Sequence, residues 1–521
     1  MPIGGNIFNQ EMFWVGDWIG RRAMISPHIE AVYDCGCDTR FSYNNLNNRA
    51  NKIANYLLEK GISRGNAISI ISRNRIEILD LFFACGKIGA ILAPISYRLK
   101  NTEIENLLGR IKPKALFYED EFSDISNGIY LPDSISLKIE FSDGVLSQYS
   151  RIQEIASDKE SNIPLSPDDT FLYIHTGGTT STPKICEISH RQMIWNSVEM
   201  ASVSSGIIGT GTELATLPFF HIGGLNIIIP YFHFGGSIII TRTFDEEETL
   251  NLIEKEGVDV FPAVSAMLYK ISIHPKFAST SFKSLKGIFT GGSSCPKDIM
   301  EPFYEKGIPV IQSYGLTEAG PSNFMFFPLH KNLSDIKSKS ETVGHPMFHC
   351  DYKIVSSETG DPLPKNETGI LKLRSPHTFS GYLDDPEKNQ KIIDEEGWLD
   401  TGDLAMEDND GFVRIMGRAD NMFISGGENV SPEEIETVLQ DHPTVSAALC
   451  AGVYDKQWGE IPVAEVIIEQ HHTATEEELI EFCKEKLANY KVPKRIIFVD
   501  QMPLTGAGKP DRKSIIKRFS E

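Results

Sequence analysis

Residues His175-Thr-Gly-Gly-Thr-Thr-Ser-Thr-Pro-Lys184 combine paired glycines, a run of hydroxyls and a lysine in ten positions. That combination suits a phosphate. Glycines let backbone N–H groups turn inward with no Cβ in the way, threonine and serine hydroxyls add donors, and Lys184 offers a point charge to outer phosphates. The same composition also serves a plain turn. The pattern GxxxxGK[ST] is absent, since Lys184 follows a proline, so this is not the common P-loop. Two later stretches add to the reading. Gly287-Ile-Phe-Thr-Gly-Gly-Ser-Ser294 again places glycines after an apolar run, and Pro309-Val-Ile-Gln-Ser-Tyr-Gly-Leu-Thr-Glu318 ends in an acid. A carboxylate beside a hydroxyl-rich phosphate loop is what a magnesium–triphosphate site needs. His221, in Pro218-Phe-Phe-His-Ile-Gly-Gly224, is either a packed core histidine or a ligand-facing one.

These loops need strands to hold them. Phe171–Ile174 reads as a buried strand ending at the first loop, Thr212–Leu217 as one ending at His221, and Val258–Phe261 as another. Upstream, apolar residues at helical spacing from Leu46 to Leu58 follow a capping Ser42. A strand Ala67–Ile71, a helix from Leu79 to Gly89 and a strand Ala90–Ile95 come next, so the pattern predicts parallel strands with crossover helices. Ligands bind such sheets at the strands' carboxyl ends. Glu119–Asp124 reads as an acidic surface run, and the apolar stretch Leu225–Ile240, broken by Pro230 and His233, as a buried sheet region and not a membrane span.

A chain of 521 residues exceeds what one core organises, so at least two domains are expected. The formal net charge of −21 argues against nucleic acid or an anionic membrane as partner, since either would be repelled over most of the surface. The start Met1-Pro-Ile-Gly-Gly has no signal-peptide pattern, and the eight scattered cysteines read as reduced thiols of a cytoplasmic protein. Ser431-Pro-Glu-Glu-Ile-Glu436 reads as a helix start with Ser431 as its cap; strands near Ala447–Val453 and Pro462–Ile468 and a helix Glu476–Leu487 follow, a small α+β unit.

The strings HTGGTTSTPK, LPFFHIGG, YGLTE, GYLDDPE, TGDL, GRADNMFISGGENVSPEEIE and TGAGK run from the middle of the chain to its end. In order and separation they resemble the adenylate-forming superfamily of acyl-CoA synthetases, adenylation domains and luciferases, most closely its acyl- and aryl-CoA ligase branch, from about Phe41 onward. The resemblance implies an α/β fold: a large N-terminal AMP-binding domain over residues 1–419 and a small mobile C-terminal α+β domain over 420–521. It implies activation of a carboxylic acid with ATP and Mg2+ to an acyl-adenylate, then transfer to a thiol, normally coenzyme A. By position, Thr176, Gly177, Gly178, Thr179, Thr180 and Lys184 would grip the triphosphate. Gly292, Ser293, Tyr314 and Gly315 would hold the adenine, Thr317 the α-phosphate, and Glu318 the magnesium. Asp403 and Arg418 would contact the ribose, with Arg418 also reaching the phosphate, and Lys509 would be the catalytic lysine. Asp420 occupies the hinge position, Gly426 and Gly427 would leave room for pantetheine, and His221 would gate the thiol tunnel.

Within that chemistry the expected substrate is a hydrophobic monocarboxylate, fatty or aryl, on the apolar character of Phe219, Phe220, Ile222, Leu225, Ala263, Val264, Phe324 and Phe326. Alternatives are an o-succinylbenzoate-type ligase, an enzyme loading a separate carrier protein, a luciferase-like oxygenase, and a nucleotide-binding scaffold without turnover. A homodimer through the large domain is implied by family habit. Two positions depart from the family pattern: Ser181 stands where most relatives have glycine, and Ile185 where a glycine often follows the lysine. If position 181 requires positive φ, serine there is strained by about 1–2 kcal/mol.

Overall fold

Runs of β-branched and apolar residues alternate with helical ones, and in the computed structural model they form two sheets built mainly of parallel strands. The structure describes residues 10–143, 147–176, 183–292, 294–326, 332–425, 428–455, 459–487, 489–505 and 509–520. The chain divides into two compact units. One comprises Met1–Tyr352 with Leu373–Leu399, the other Lys353–Lys372 with Asp400–Glu521.

The first unit holds both large sheets. In the seven-stranded sheet, Ala67–Ile71 lies between Ile91–Ile95 and Ala115–Glu119, all parallel, and Thr170–Thr176 extends it beside Ile91–Ile95. Lys184–Ser189 then returns antiparallel to Thr170–Thr176, and the short strand Gly381–Tyr382 closes that edge. The nine-stranded sheet runs parallel through Val310–Leu316, Gly287–Thr290, Val260–Ala263, Thr212–Ala215, Ser237–Ile240 and Glu30–Asp34. Helices cover the faces, which is why strands such as Ala67–Ile71 are buried at every position. Ser42 caps the helix Tyr43–Glu59 as its sequence suggests: its hydroxyl accepts from the Asn45 N–H at 3.2 Å, and the Asn45 Oδ1 accepts from the Ser42 N–H at 3.0 Å.

Two sequence expectations in the first unit need correction. Leu225–Ile240 is not sheet throughout: Ile222–Phe234 is a helix with Pro230 inside it, and only Ser237–Ile240 is a strand. A helix apolar on every side shows no 3.6-residue period, and the proline invited a break. Pro230 has no N–H for the carbonyl four residues earlier, so the Asn226 oxygen would be orphaned in the core. Asn196 supplies the donor instead, its Nδ2 reaching the Asn226 oxygen at 3.1 Å. Glu119 likewise is no surface acid. It ends a central strand at 2% exposure, where it accepts from the Arg73 N–H at 2.9 Å and pairs with Arg75 Nη1 at 3.2 Å. Among the described residues no helix is long and apolar enough to cross a membrane, and all eight cysteines are free thiols.

The second unit carries a four-stranded sheet containing Leu399–Glu407 and Val413–Arg418, and a five-stranded sheet whose longest strands, Val445–Asp455 and Gly459–Ile468, pair antiparallel. Its core gathers Val430, Ile435, Leu439, Cys450, Val466, Leu479 and Cys483. Ser431 precedes the helix Pro432–Gln440 but does not cap it through its side chain; its hydroxyl donates to the Met416 carbonyl at 3.0 Å.

Asn196→Ala should leave the Asn226 carbonyl buried without a donor and lower the unfolding free energy by about 1–3 kcal/mol. Urea denaturation of the two proteins, compared at equal m-value, measures it.

Candidate active site

The segment His175–Lys184 is held at both ends by paired strands. Thr176, the last residue of its strand, is the register partner of Lys184, the first residue of the next, so the intervening loop closes a hairpin. Gly177, Gly178, Thr179, Thr180 and Ser181 lie outside the described residues. Arg110, unremarked in the sequence, holds the far end of that hairpin: its guanidinium donates to the Pro183 carbonyl at 2.7 Å and to the Leu383 carbonyl at 3.4 Å. Ile185 is explained by packing, since it is fully buried in the cluster with Ile71, Ile95, Leu107 and Leu116. His175 is buried, and its Nε2 accepts from the Ser96 N–H at 3.1 Å. Burial, aided by the charge His221 would carry, pushes His175 down to about 3, so it stays a neutral acceptor.

Lys184 and Glu318 meet at one side chain. The Tyr382 hydroxyl donates to Glu318 Oε1 at 2.7 Å, and the Lys184 ammonium sits 5.0 Å from the centre of the Tyr382 ring. Tyr382 lies within the string GYLDDPE. Its backbone is clamped by Asn389, which accepts from its N–H at 2.7 Å and donates to its carbonyl at 3.0 Å. The Glu318 carbonyl accepts from the Phe379 N–H at 2.9 Å, and the Thr317 carbonyl from Gln192 Nε2 at 3.0 Å. Thr317 and Glu318 form a short 3-10 turn after the strand Val310–Leu316, which holds Tyr314 and Gly315. At Gly315 a Cβ would fall 2.1 Å from the Pro321 carbonyl oxygen, so the hairpin admits glycine alone. Gly292, at the end of the neighbouring strand, has φ of +80°; Ser293 lies outside the described residues.

His221 is exposed at the N-terminal boundary of the helix Ile222–Phe234, its ring 6.3 Å from that of His175. Of the eight apolar residues picked from sequence, Phe219, Phe220, Ile222, Leu225, Ala263 and Phe324 are buried, while Val264 is 37% exposed. The crevice between the strand Thr212–Ala215 and this helix, lined by Ala215, Leu217, Gly223, Gly224, Ile227 and Pro262 with Glu213, leaves no room for a water molecule, and none of the eight is on it.

In the second unit, Asp403 and Arg418 face each other across antiparallel strands. Arg418 Nη1 donates to Asp403 Oδ1 at 3.1 Å and to the Thr401 carbonyl at 2.9 Å, while its Nε donates to Asp420 Oδ1 at 3.1 Å. One guanidinium thus joins Asp403 to Asp420. Gly426 and Gly427 lie outside the described residues, following the buried Ser425. Lys509 is exposed; the Thr505 N–H donates to its carbonyl at 2.7 Å, and its own N–H donates to the Thr505 hydroxyl at 3.2 Å. Three residues on, Arg512 anchors the chain to the helix Pro432–Gln440, donating to Glu433 Oε1 and Glu436 Oε1, both at 2.7 Å. Glu433 also accepts from Asn421 Nδ2 at 2.8 Å, next to Asp420 in the chain.

Residues 20–383 match the AMP-binding enzyme family and residues 434–509 the AMP-binding enzyme C-terminal domain. The chain is 30% identical over 506 residues to a feruloyl-CoA synthase of Amycolatopsis sp, covering 97% of this chain and 99% of that protein. It is 29% identical over 505 residues to a 2-succinylbenzoate–CoA ligase of Bacillus cereus, with coverage of 97% and 98%. Its fold superimposes with TM-score 0.84 on an o-succinylbenzoate CoA synthetase of Bacillus subtilis in complex with its acyl-adenylate intermediate, at 27% identity and coverage of 96% and 97%.

Burial lifts the Glu436 carboxyl from its ordinary 4.5 to about 7, against the pull of Arg512. The folded protein therefore keeps a proton there that the unfolded chain loses between these values, and this group's contribution to stability is full below pH 4.5 and gone above pH 7. Arg512→Met should cost about 3–5 kcal/mol at pH 8, where Glu436 is left as a buried uncompensated charge. The deficit should shrink near pH 5.5, where Glu436 can hold a proton; thermal unfolding at both values measures the difference.

Proposed function

The chain belongs to the AMP-binding enzyme family, and on that premise we propose that it is an ATP-dependent acid–thiol ligase converting a hydrophobic carboxylic acid, fatty or aryl, to its coenzyme A thioester. The observation that carries this reading is the Lys184–Tyr382–Glu318 group: a cation and an anion held through one tyrosine beside a glycine- and hydroxyl-rich hairpin. A carboxylate is a poor electrophile. Its oxygen would attack the α-phosphorus of ATP, the bond from that phosphorus to the bridging oxygen would break, and pyrophosphate would leave. The mixed anhydride then offers AMP as leaving group when a thiol sulfur attacks the acyl carbon and gives up its proton.

In this reading Thr176 to Thr180 and Lys184 bind the departing phosphates, and Gly292, Ser293, Tyr314 and Gly315 the adenine. Thr317 orients the α-phosphate, and Asp403 accepts from the ribose hydroxyls, held for that task by Arg418. Among the described residues no cluster of three or more His, Cys, Asp or Glu side chains could hold a metal alone. One carboxylate, Glu318, nevertheless fits magnesium that arrives on the triphosphate and keeps phosphate oxygens and waters as its other ligands. The ion would supply charge neutralisation on the leaving pyrophosphate.

Lys509 is assigned to the charge that grows between carboxylate oxygen and α-phosphorus, an interaction present only in the transition state of the first step. Asp420 is the hinge by which residues 420–521 would withdraw that lysine, Gly426 and Gly427 the strip along which pantetheine would pass, and His221 the gate at the acyl carbon. A homodimer in a cytoplasmic setting completes the proposal.

Pyrophosphate release should depend on one class of acid and be accelerated by CoA. Lys509→Ala should lower it by a hundredfold or more, corresponding to about 2.7–4 kcal/mol, yet leave thiol transfer from supplied acyl-adenylate intact. Stimulation by a phosphopantetheinylated carrier protein in place of CoA would move the assignment to carrier loading. Bound ATP with no pyrophosphate from any acid would move it to a scaffold.

A further inference from the structure

Tyr382 touches both charges of the site through different parts of one side chain. Its hydroxyl donates to Glu318 Oε1 at 2.7 Å, and its ring centre lies 5.0 Å from the Lys184 ammonium. The two parts can be removed one at a time, because phenylalanine keeps the ring and loses the hydroxyl.

The scaffold holds Tyr382 more firmly than it holds either partner. The residue is 3% exposed, stands opposite Cys186 in the ladder that joins Gly381–Tyr382 to Lys184–Ser189, and packs edge-on against Phe379 with ring centres 5.0 Å apart. Asn389 grips its N–H and its carbonyl, and the Leu383 N–H that follows donates to the Ile185 carbonyl at 2.9 Å. Glu318 and Lys184, by contrast, are half-buried and carry their charges on long side chains with several free torsions. A rigid ring between two flexible charges limits where each can stand. The buried Cys186 thiol lies in the field of both: burial and then the Glu318 charge push it up, while Lys184 pulls it down. The Lys388 ammonium is 5.7 Å from the same ring but is paired with Asp385 at 3.3 Å, so the phosphates fall to Lys184.

Placement matters because magnesium is exacting, taking oxygen ligands at about 2.0–2.1 Å in near-octahedral order. A carboxylate that wanders offers its oxygens there for only part of the time. The Tyr382 bond uses Oε1 of Glu318, and among the described residues no donor reaches Oε2. We propose that Tyr382 is a positioning residue with two separable duties: its hydroxyl holds Glu318 for the magnesium that arrives on ATP, and its ring holds Lys184 for the phosphates. The inference rests on the ligase reading and deepens it.

The probe is α,β-methylene ATP, whose bridge does not leave, titrated calorimetrically against wild type and variants with and without Mg2+. Tyr382→Phe should bind the metal-free analogue as wild type does, while the Mg2+ needed for half-saturation rises about 10- to 100-fold, the usual loss when the partner orienting a metal ligand is removed. Tyr382→Leu should weaken the metal-free analogue as well, since Lys184 loses its ring. Because the hydroxyl acts through Glu318, the double variant Tyr382→Phe with Glu318→Gln should need no more Mg2+ than Glu318→Gln alone. With ATP and an acid, pyrophosphate release by Tyr382→Phe should recover as Mg2+ is raised, a shift that a loosened fold would not show. Equal Mg2+ demand in wild type and Tyr382→Phe, additive losses in the double variant, or metal-free binding to Tyr382→Leu equal to wild type overturns the proposal. In each of these cases the ligase reading still stands on pyrophosphate release by wild type. If wild type releases no pyrophosphate and binds no analogue, both fall.

Discussion

The hydrogen bond from Tyr382 to Glu318 is the contact on which the site in the first unit depends, because it joins segments that the chain keeps far apart. Glu318 follows a strand of the nine-stranded sheet, whereas Tyr382 and Lys184 belong to the edge of the seven-stranded one. A carboxylate accepting from a phenol is held in place without losing its charge, and a ring face under an ammonium steadies the cation without neutralising it. Both charges therefore remain available to a ligand. Asn389, gripping both backbone groups of Tyr382, and Arg110, gripping Pro183 and Leu383, fix the scaffold behind them.

Several polar groups inside the sheets are met by partners from other elements. Asn196 serves the carbonyl that Pro230 abandons, the Ser96 N–H uses His175 as its acceptor, and Glu119 is met by Arg73 and Arg75. Each pairing lets a strand end or a helix bend lie where apolar side chains alone would not hold it.

The second unit uses arginines as junctions. Arg418 spans Asp403 and Asp420, and Arg512 ties the loop after Thr505 to the helix that begins beside Asn421. The planar fork of guanidinium suits this work, since it reaches two carboxylates at once with little loss of freedom per bond. A lysine at either position would hold one partner and release the other.

Much was legible from sequence because it depends on local chemistry. The β/α alternation, the Ser42 cap and the buried strand at Phe171–Ile174 follow from periodicity and capping, and motif order alone identified the family. What only the tertiary structure decided are matters of partnership. The helix at Ile222–Phe234 escaped because burial on all sides erases its period and Pro230 mimics a break, while its remedy, Asn196, lies on another helix. Glu119 read as solvent-facing because acids usually are, until two arginines from a neighbouring loop met it. Arg110 and Arg512 had no local signal at all, and the string that holds Tyr382 gave no sign of its bond to Glu318. Their roles arise from which side chains a fold brings within hydrogen-bond reach, and sequence spacing does not encode that distance.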